Sequence, residues 1–76
     1  MTLDILPVSQ RAVITGIAQD EGLGLRMRAF GLRVGREVMV VRRSRIGGPL
    51  QVRVGTTDVI MRIREATLIR VEAPTR

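Results

Sequence analysis

RMRAFGLRVGREVMVVRRSRIGGPLQVRVGTTDVIMRIREATLIRV, residues 26–71, decides the fold. Short runs rich in valine and isoleucine recur through it, separated by tight glycine turns. That pattern predicts strands at about 37–44, 50–55, 59–64 and 68–71, with turns at Gly47-Gly48 and from Gly55 to Asp58. Leu50, Val52 and Val54 alternate with Gln51 and Arg53, the period of a sheet with one face buried. Arg62, Arg64 and Arg70 then fall opposite inward residues. Near Glu65 and Ala66 a single helical turn precedes the last strand. Several short strands joined by glycine turns in so small a chain suggest a barrel or a sandwich.

Upstream of that stretch, Ala12 to Ile17 carries β-branched residues at 13, 14, 15 and 17 and reads as a first strand, with Gly16 as the place for a bulge. Thr2 is placed to cap a short helical turn from Leu3 to Leu6, which Pro7 stops. Between the first two strands, Asp20 and Glu21 open a helix, where acceptor oxygens and negative charge suit the unpaired first-turn amides. Leu23, Met27 and Phe30 lie at i, i+4 and i+7, one apolar stripe facing the core. Gly24 weakens the middle of this helix by about 1 kcal/mol relative to alanine. Gly31 is the left-handed stop, and Leu32 packs back on the last turn. Residues 73–76 read as a frayed tail behind a core of about residues 3–72, all one domain.

A chain of 76 residues buries only about 60% of its unfolded surface, so each large apolar side chain counts. Cysteine is absent, which fits a reducing compartment. Met1 to Gln10 carries Asp4 and no positive charge ahead of its few apolar residues, unlike an export signal. The longest strictly apolar runs, such as Val38 to Val41, fall far short of the roughly 20 residues that cross a bilayer. These features predict a cytoplasmic protein without direct membrane insertion. The formal charge of +6 comes from 13 arginines and no lysine against seven acids. Arginine in place of lysine on ordinary solvated faces explains most of it. Seven of the arginines nonetheless lie within residues 26–45, where Glu37 is the only acid, and such clustering attracts an acidic partner, a phosphate or a nucleic acid.

Histidine, cysteine, lysine, tyrosine and tryptophan are all missing, which removes most general bases, nucleophiles and metal ligands. Triads built on histidine, Schiff bases and lysine-bearing phosphate loops are excluded. Asp20 and Glu21 are neighbours that point in different directions and are explained as helix-start residues. A metal site here has only the scattered carboxylates of Asp4, Asp20, Glu21, Glu37, Asp58, Glu65 and Glu72, a poor set for a borderline metal. The residues give no catalytic site, no cofactor site and no metal site.

Arg28, Phe30, Gly31, Leu32 and Gly35, followed by Gly47, Gly48, Pro49 and Leu50, keep an order and spacing that resembles the FeoA family, the first group matching its "RL..lGl..G" element and the second its "ggp" hairpin. Val59 to Arg62 are similar to its "alr" strand, and Glu65, Ala66, Ile69 and Val71 to its closing "eA..I.V". Met27 stands where leucine is usual, a conservative exchange. Val8-Ser9-Gln10-Arg11 replaces the usual glycine turn before the first strand. The resemblance implies a mainly β fold, a small SH3-like five-stranded barrel with one short helix between the first and second strands and a short N-terminal helical turn. It further implies a non-enzymatic accessory of bacterial ferrous-iron transport, together with the family-level label of transition metal ion binding. Its implied partner is the FeoB membrane transporter, through the cytosolic part that binds and hydrolyses GTP. An arginine supplied in trans can stabilise a transferring phosphoryl group, and Arg28, Arg33 and Arg45 are the candidates for contact, with Leu32 beside them. The same barrel occurs as the C-terminal domain of DtxR-type metal-dependent repressors, so a basic nucleic-acid-contacting module is the alternative. Phe30 is the only aromatic and is expected to be buried, which leaves no stacking platform, and no helix-turn-helix is recognisable. Docking or homo-oligomerisation through an edge strand is a third use of such a fold.

Overall fold

A computed structural model describes residues 1–18, 22, 27–45 and 47–74. The alternation read from the sequence becomes five strands: β1 (Arg11–Ile17), β2 (Glu37–Arg43), β3 (Leu50–Val54), β4 (Thr57–Met61) and β5 (Ile69–Glu72). All neighbours are antiparallel, in the order β4-β3-β2-β1-β5. The sheet is not closed, because β4 and β5 stand at its two ends and do not pair, so the expected barrel is an open, curled sheet. Two register shifts bend it, one between Ile14 and Gly16 where the bulge was expected, the other between Val40 and Arg42.

One face of that sheet carries Ala12, Ile14, Val38, Val40, Leu50, Val52, Val54, Val59, Met61, Ile69 and Val71, all buried. Leu3, Leu6, Met27, Leu32 and Ala66 close over them and complete the core. No polar or charged residue joins the buried set among the described residues.

Two boundaries differ from the sequence reading. The turn between β3 and β4 is the pair Gly55-Thr56, not Gly55 to Asp58, and Thr57 already pairs with Val54. Asp58, a turn former by propensity, sits in the ladder opposite Arg53, where opposite charges on facing strands favour pairing. At its other end β4 stops at Met61, and a short helix spans Ile63–Ala66. Glu65 accepts the Arg62 backbone N–H at 2.9 Å, so this helix starts two residues before the expected turn at Glu65.

The N-terminal turn is a 3-10 turn, Leu3–Ile5. Thr2 occupies the cap position, yet its hydroxyl donates to the Asp4 carboxylate and accepts nothing from the backbone, so the expected cap bond is absent. Arg43 fastens this turn instead. From the end of β2 its guanidinium donates to the carbonyls of Asp4 and Leu6, the latter at 2.7 Å. A cation at the carbonyl end of a helical turn is also favoured by the aligned peptide dipoles. Residues 1 and 2 then run beside β5: the Val71 N–H donates to the Met1 carbonyl at 2.8 Å, and Thr2 bridges to Arg70.

The start of the expected helix, with Asp20, Glu21, Leu23 and Gly24, lies outside the described residues. Its end is described. Residues 27–29 are helical, the Gly31 N–H donates to the Arg28 carbonyl at 3.0 Å, and the Leu32 N–H reaches back to the Met27 carbonyl at 2.9 Å. With φ of +80° at Gly31, these two bonds form the Schellman stop that the sequence predicted, with Leu32 packed beside Met27. Phe30 departs from its expected place, being 38% exposed rather than buried. It sits just past the last helical residue, where the chain is already turning off the apolar stripe. Before β1, Ser9 adopts φ of 71° and takes over the backbone role of the glycine usual there. Of the expected tail, Ala73 and Pro74 carry no regular structure, and residues 75–76 lie outside the described residues.

These two left-handed positions make opposite predictions. A side chain at left-handed φ costs roughly 1–2 kcal/mol. At Gly31 a Cβ meets no atom within 4 Å, so the cost of Gly31→Val is backbone strain, raised further by β-branching. Its melting temperature should fall by about 5–15 °C, given about 4–8 °C per kcal/mol in a domain of this size. Ser9→Gly relieves strain but gains freedom when unfolded, leaving roughly 0.5 kcal/mol of stabilisation and a rise of a few degrees. Arg43→Ala removes two charge-assisted bonds at a partly solvated site and should cost about 1 kcal/mol. Hydrogen exchange at Leu6 should quicken, whereas unchanged protection would show that Arg43 does not hold the turn.

Candidate functional site

With the interior aliphatic, any function must be carried by the outer face and the loops. Arg28 is exposed on the helical residues just before the Gly31 stop. Arg33 is exposed in the turn that leads into β2, where its carbonyl accepts the Arg36 N–H at 3.1 Å. Arg45 is exposed in the hairpin after β2, and its carbonyl accepts the Gly48 N–H at 3.2 Å. Arg33 and Arg45 thus flank β2 at opposite ends. Its seven residues alone span about 20 Å, so the two cannot grip one small ligand together. Leu32, by contrast, is 1% exposed and supports the helix end from within the core.

Another constellation arises from strand register, which composition does not reveal. Arg11 pairs with Met39, Met39 with Arg53, and Arg53 with Asp58, so one rung across four strands places all four side chains on the solvent face. Arg53 grips Asp58 with two bonds, Nε to Oδ1 at 2.8 Å and Nη2 to Oδ2 at 3.1 Å, while Gln51 adds a bond to Oδ2 at 2.8 Å. The bonds from Arg53, and secondarily from Gln51, hold the Asp58 carboxyl below the usual carboxylate range, and Asp58 in turn raises the Arg53 guanidinium. On the same face Arg11 pairs with Glu37 at 3.6 Å.

A carboxyl whose pKa is depressed by folding stabilises the fold above its unfolded pKa, and that contribution is lost as pH falls through the folded one. Asp58 should therefore titrate below the ordinary aspartate range by NMR, and Arg53→Gln should return it toward that range. Both groups are solvated, so the shift should shrink at high salt. An Asp58 titration unaffected by Arg53→Gln would show that Arg53 does not set the state of this carboxyl.

Among the described residues, no three carboxylates come together as a metal site, and no helix is long and apolar enough to cross a membrane.

With this geometry in hand, the relatives are informative. The family model described as FeoA domain matches residues 1–73. FeoA from Stenotrophomonas maltophilia, crystallised with zinc and described as an SH3 domain protein proposed as a ferrous iron transport activating factor, is 34% identical. The match covers 95% of this chain and 89% of that one, with a TM-score of 0.83. Iron(II) transport protein A from Clostridium thermocellum is 29% identical with a TM-score of 0.90, over 96% of this chain but 45% of that one. FeoA from Chlorobium tepidum is 29% identical with a TM-score of 0.89, over 99% and 71%. A manganese-dependent transcriptional repressor also superposes, at a TM-score of 0.83 over 91% of this chain and 39% of that one, and its 16% identity shows a shared fold alone. No curated protein sequence matches the chain.

Proposed function

The chain belongs to the FeoA family, and from that membership we propose that it is a non-enzymatic cytoplasmic accessory of ferrous-iron transport that binds the cytosolic, GTP-binding part of the FeoB transporter. The match of the family model over residues 1–73 carries this reading. The chemistry of the chain supports it. Catalytic acids and bases are typically desolvated to tune their pKa, whereas no charged side chain is buried among the described residues. A protein of this kind acts by contact. Iron is then the transporter's cargo, handled away from this chain, whose described carboxylates do not cluster.

Arg28 and Arg33 are the contact residues of this proposal, with Arg45 at the far end of β2 as a second point of attachment. Exposed guanidiniums offer forked donors to carboxylates and steer an acidic partner electrostatically. The nucleic-acid alternative has less behind it. Phe30 is partly exposed, contrary to expectation, but a single ring stacks one base at most.

Binding of the purified chain to the transporter's cytosolic domain tests the proposal directly. The double variant Arg28→Glu, Arg33→Glu should weaken binding about tenfold or more, chiefly through the association rate, with melting temperature unchanged. Absence of binding by the unaltered chain at physiological salt would overturn the reading. Binding indifferent to the reversal would move the contact elsewhere.

A further inference from the structure

We infer that the outer face between β1 and the β3–β4 turn is a binding site for the phosphate chain of a di- or triphosphate, separate from the contact residues proposed above and independent of that proposal. An open groove of about 500 Å³ lies there, lined by Arg11, Arg36, Glu37, Met39, Arg53 and Gly55 among others. The rung described above sets Arg11 and Arg53 two strands apart with Met39 between them, about 10 Å at Cα by ordinary strand spacing. Arg36 stands just before β2, held through its carbonyl, which accepts the Ile14 N–H at 2.9 Å.

Arg36 brings a third guanidinium to the groove at the β3–β4 turn, where its Nη2 lies 3.0 Å from the place a Cβ on Gly55 would take; the left-handed φ of +62° is what favours glycine at that position. Two of the three arginines are steadied by carboxylates. Arg53 spends Nε and Nη2 on Asp58, and Arg11 faces Glu37 through Nε, which leaves Nη1 of Arg53 and both Nη groups of Arg11 for a ligand. Among the described residues Arg36 has no ion pair. Three guanidiniums against two carboxylates leave one net positive charge.

The ligand class follows from this spacing. A lone carboxylate is satisfied by one guanidinium fork and gains little from further arginines carried on a separate strand and turn. A phosphate chain presents oxygens on successive phosphorus atoms and can be gripped at several corners, with arginine the residue suited to each grip. Inorganic pyrophosphate and a nucleotide tail share this chemistry.

NMR titration of the full chain with pyrophosphate, at ionic strength of about 0.15 M where long-range attraction is screened, tests the site. Saturable shifts are expected at the amides of Gly35, Glu37 and Gly55 and at the guanidinium Nε–H groups of Arg11, Arg36 and Arg53. Arg36→Gln should weaken binding about tenfold, Arg36→Lys should recover only part of the loss, and Arg11→Gln gives a second variant on a separate strand. Arg64→Gln makes the same change in net charge elsewhere and should leave binding intact. A nucleoside diphosphate that binds as pyrophosphate does marks a site reading phosphates alone, and tighter binding marks the nucleotide as the source. The inference is overturned by shifts that do not saturate, by sulfate acting equally well at matched ionic strength, or by Arg64→Gln weakening binding as much as Arg36→Gln.

Discussion

The inward row of side chains on the sheet is aliphatic from end to end, and the rest of the molecule follows from that. With so few residues, the interior has room for one layer of valine, isoleucine, leucine, methionine and alanine, closed by Leu3, Leu6, Met27 and Leu32. A buried guanidinium or carboxylate would need a partner and further hydrogen bonds to offset its lost hydration, and a core this thin cannot supply them. The described charges therefore stand on the outer face and in the loops. The core also explains why the fold needs a plug at its N-terminal side. Leu3 and Leu6, in and just after a three-residue 3-10 turn, are fully buried, and Arg43 ties that turn to β2 across about half the chain.

The two ends of the sheet are finished differently. An open edge exposes a row of unpaired backbone groups, and proteins usually cover or disrupt it. At β5 the cover is the N-terminus itself, through Met1 and Thr2. At the other end β4 is cut short by the turn into Ile63–Ala66, and Glu65 satisfies the backbone N–H freed where the strand stops. One edge of the open sheet is thus paired by the N-terminus, and the strand at the other edge ends in a capped helical turn.

Sequence reading succeeded where the physics is local. The left-handed stop at Gly31, the bulge at Gly16 and the alternation of Leu50, Val52 and Val54 each depend on a few adjacent residues, and each was legible. The reading failed where a particular partner or the end of an element decides. Asp58 looks like a turn residue until Arg53 stands opposite it, and Thr2 looks like a cap until Asp4 competes for its hydroxyl. Phe30 fits the apolar stripe by count, yet the helix ends one residue too soon to bury it. Ser9 is the sharpest case: no propensity singles out serine for positive φ, and only the demand of the turn before β1 puts it there. The arginine groove was hidden for the same reason. Arg11, Arg36 and Arg53 are scattered in sequence, and they meet only through a register fixed by a two-residue turn and the pairing of β1 with β2.

Shared architecture does not settle what such a sheet does. The chain superposes about as well on a manganese-dependent repressor as on FeoA from Stenotrophomonas maltophilia, at TM-scores of 0.83 for both, while identity separates them at 16% and 34%. A small curled sheet with an aliphatic interior is a general solution to folding a short chain, and its function is written on the outside. On this chain the outside is rich in arginine, with Arg53 held by two hydrogen bonds to Asp58 and Arg11 facing Glu37. Arginine that is pinned by a neighbouring carboxylate loses less freedom when it meets an anion than one that waves in solvent. The pairs Arg53–Asp58 and Arg11–Glu37 contribute little to stability at such exposure, so their structural value lies in where they point the remaining donors.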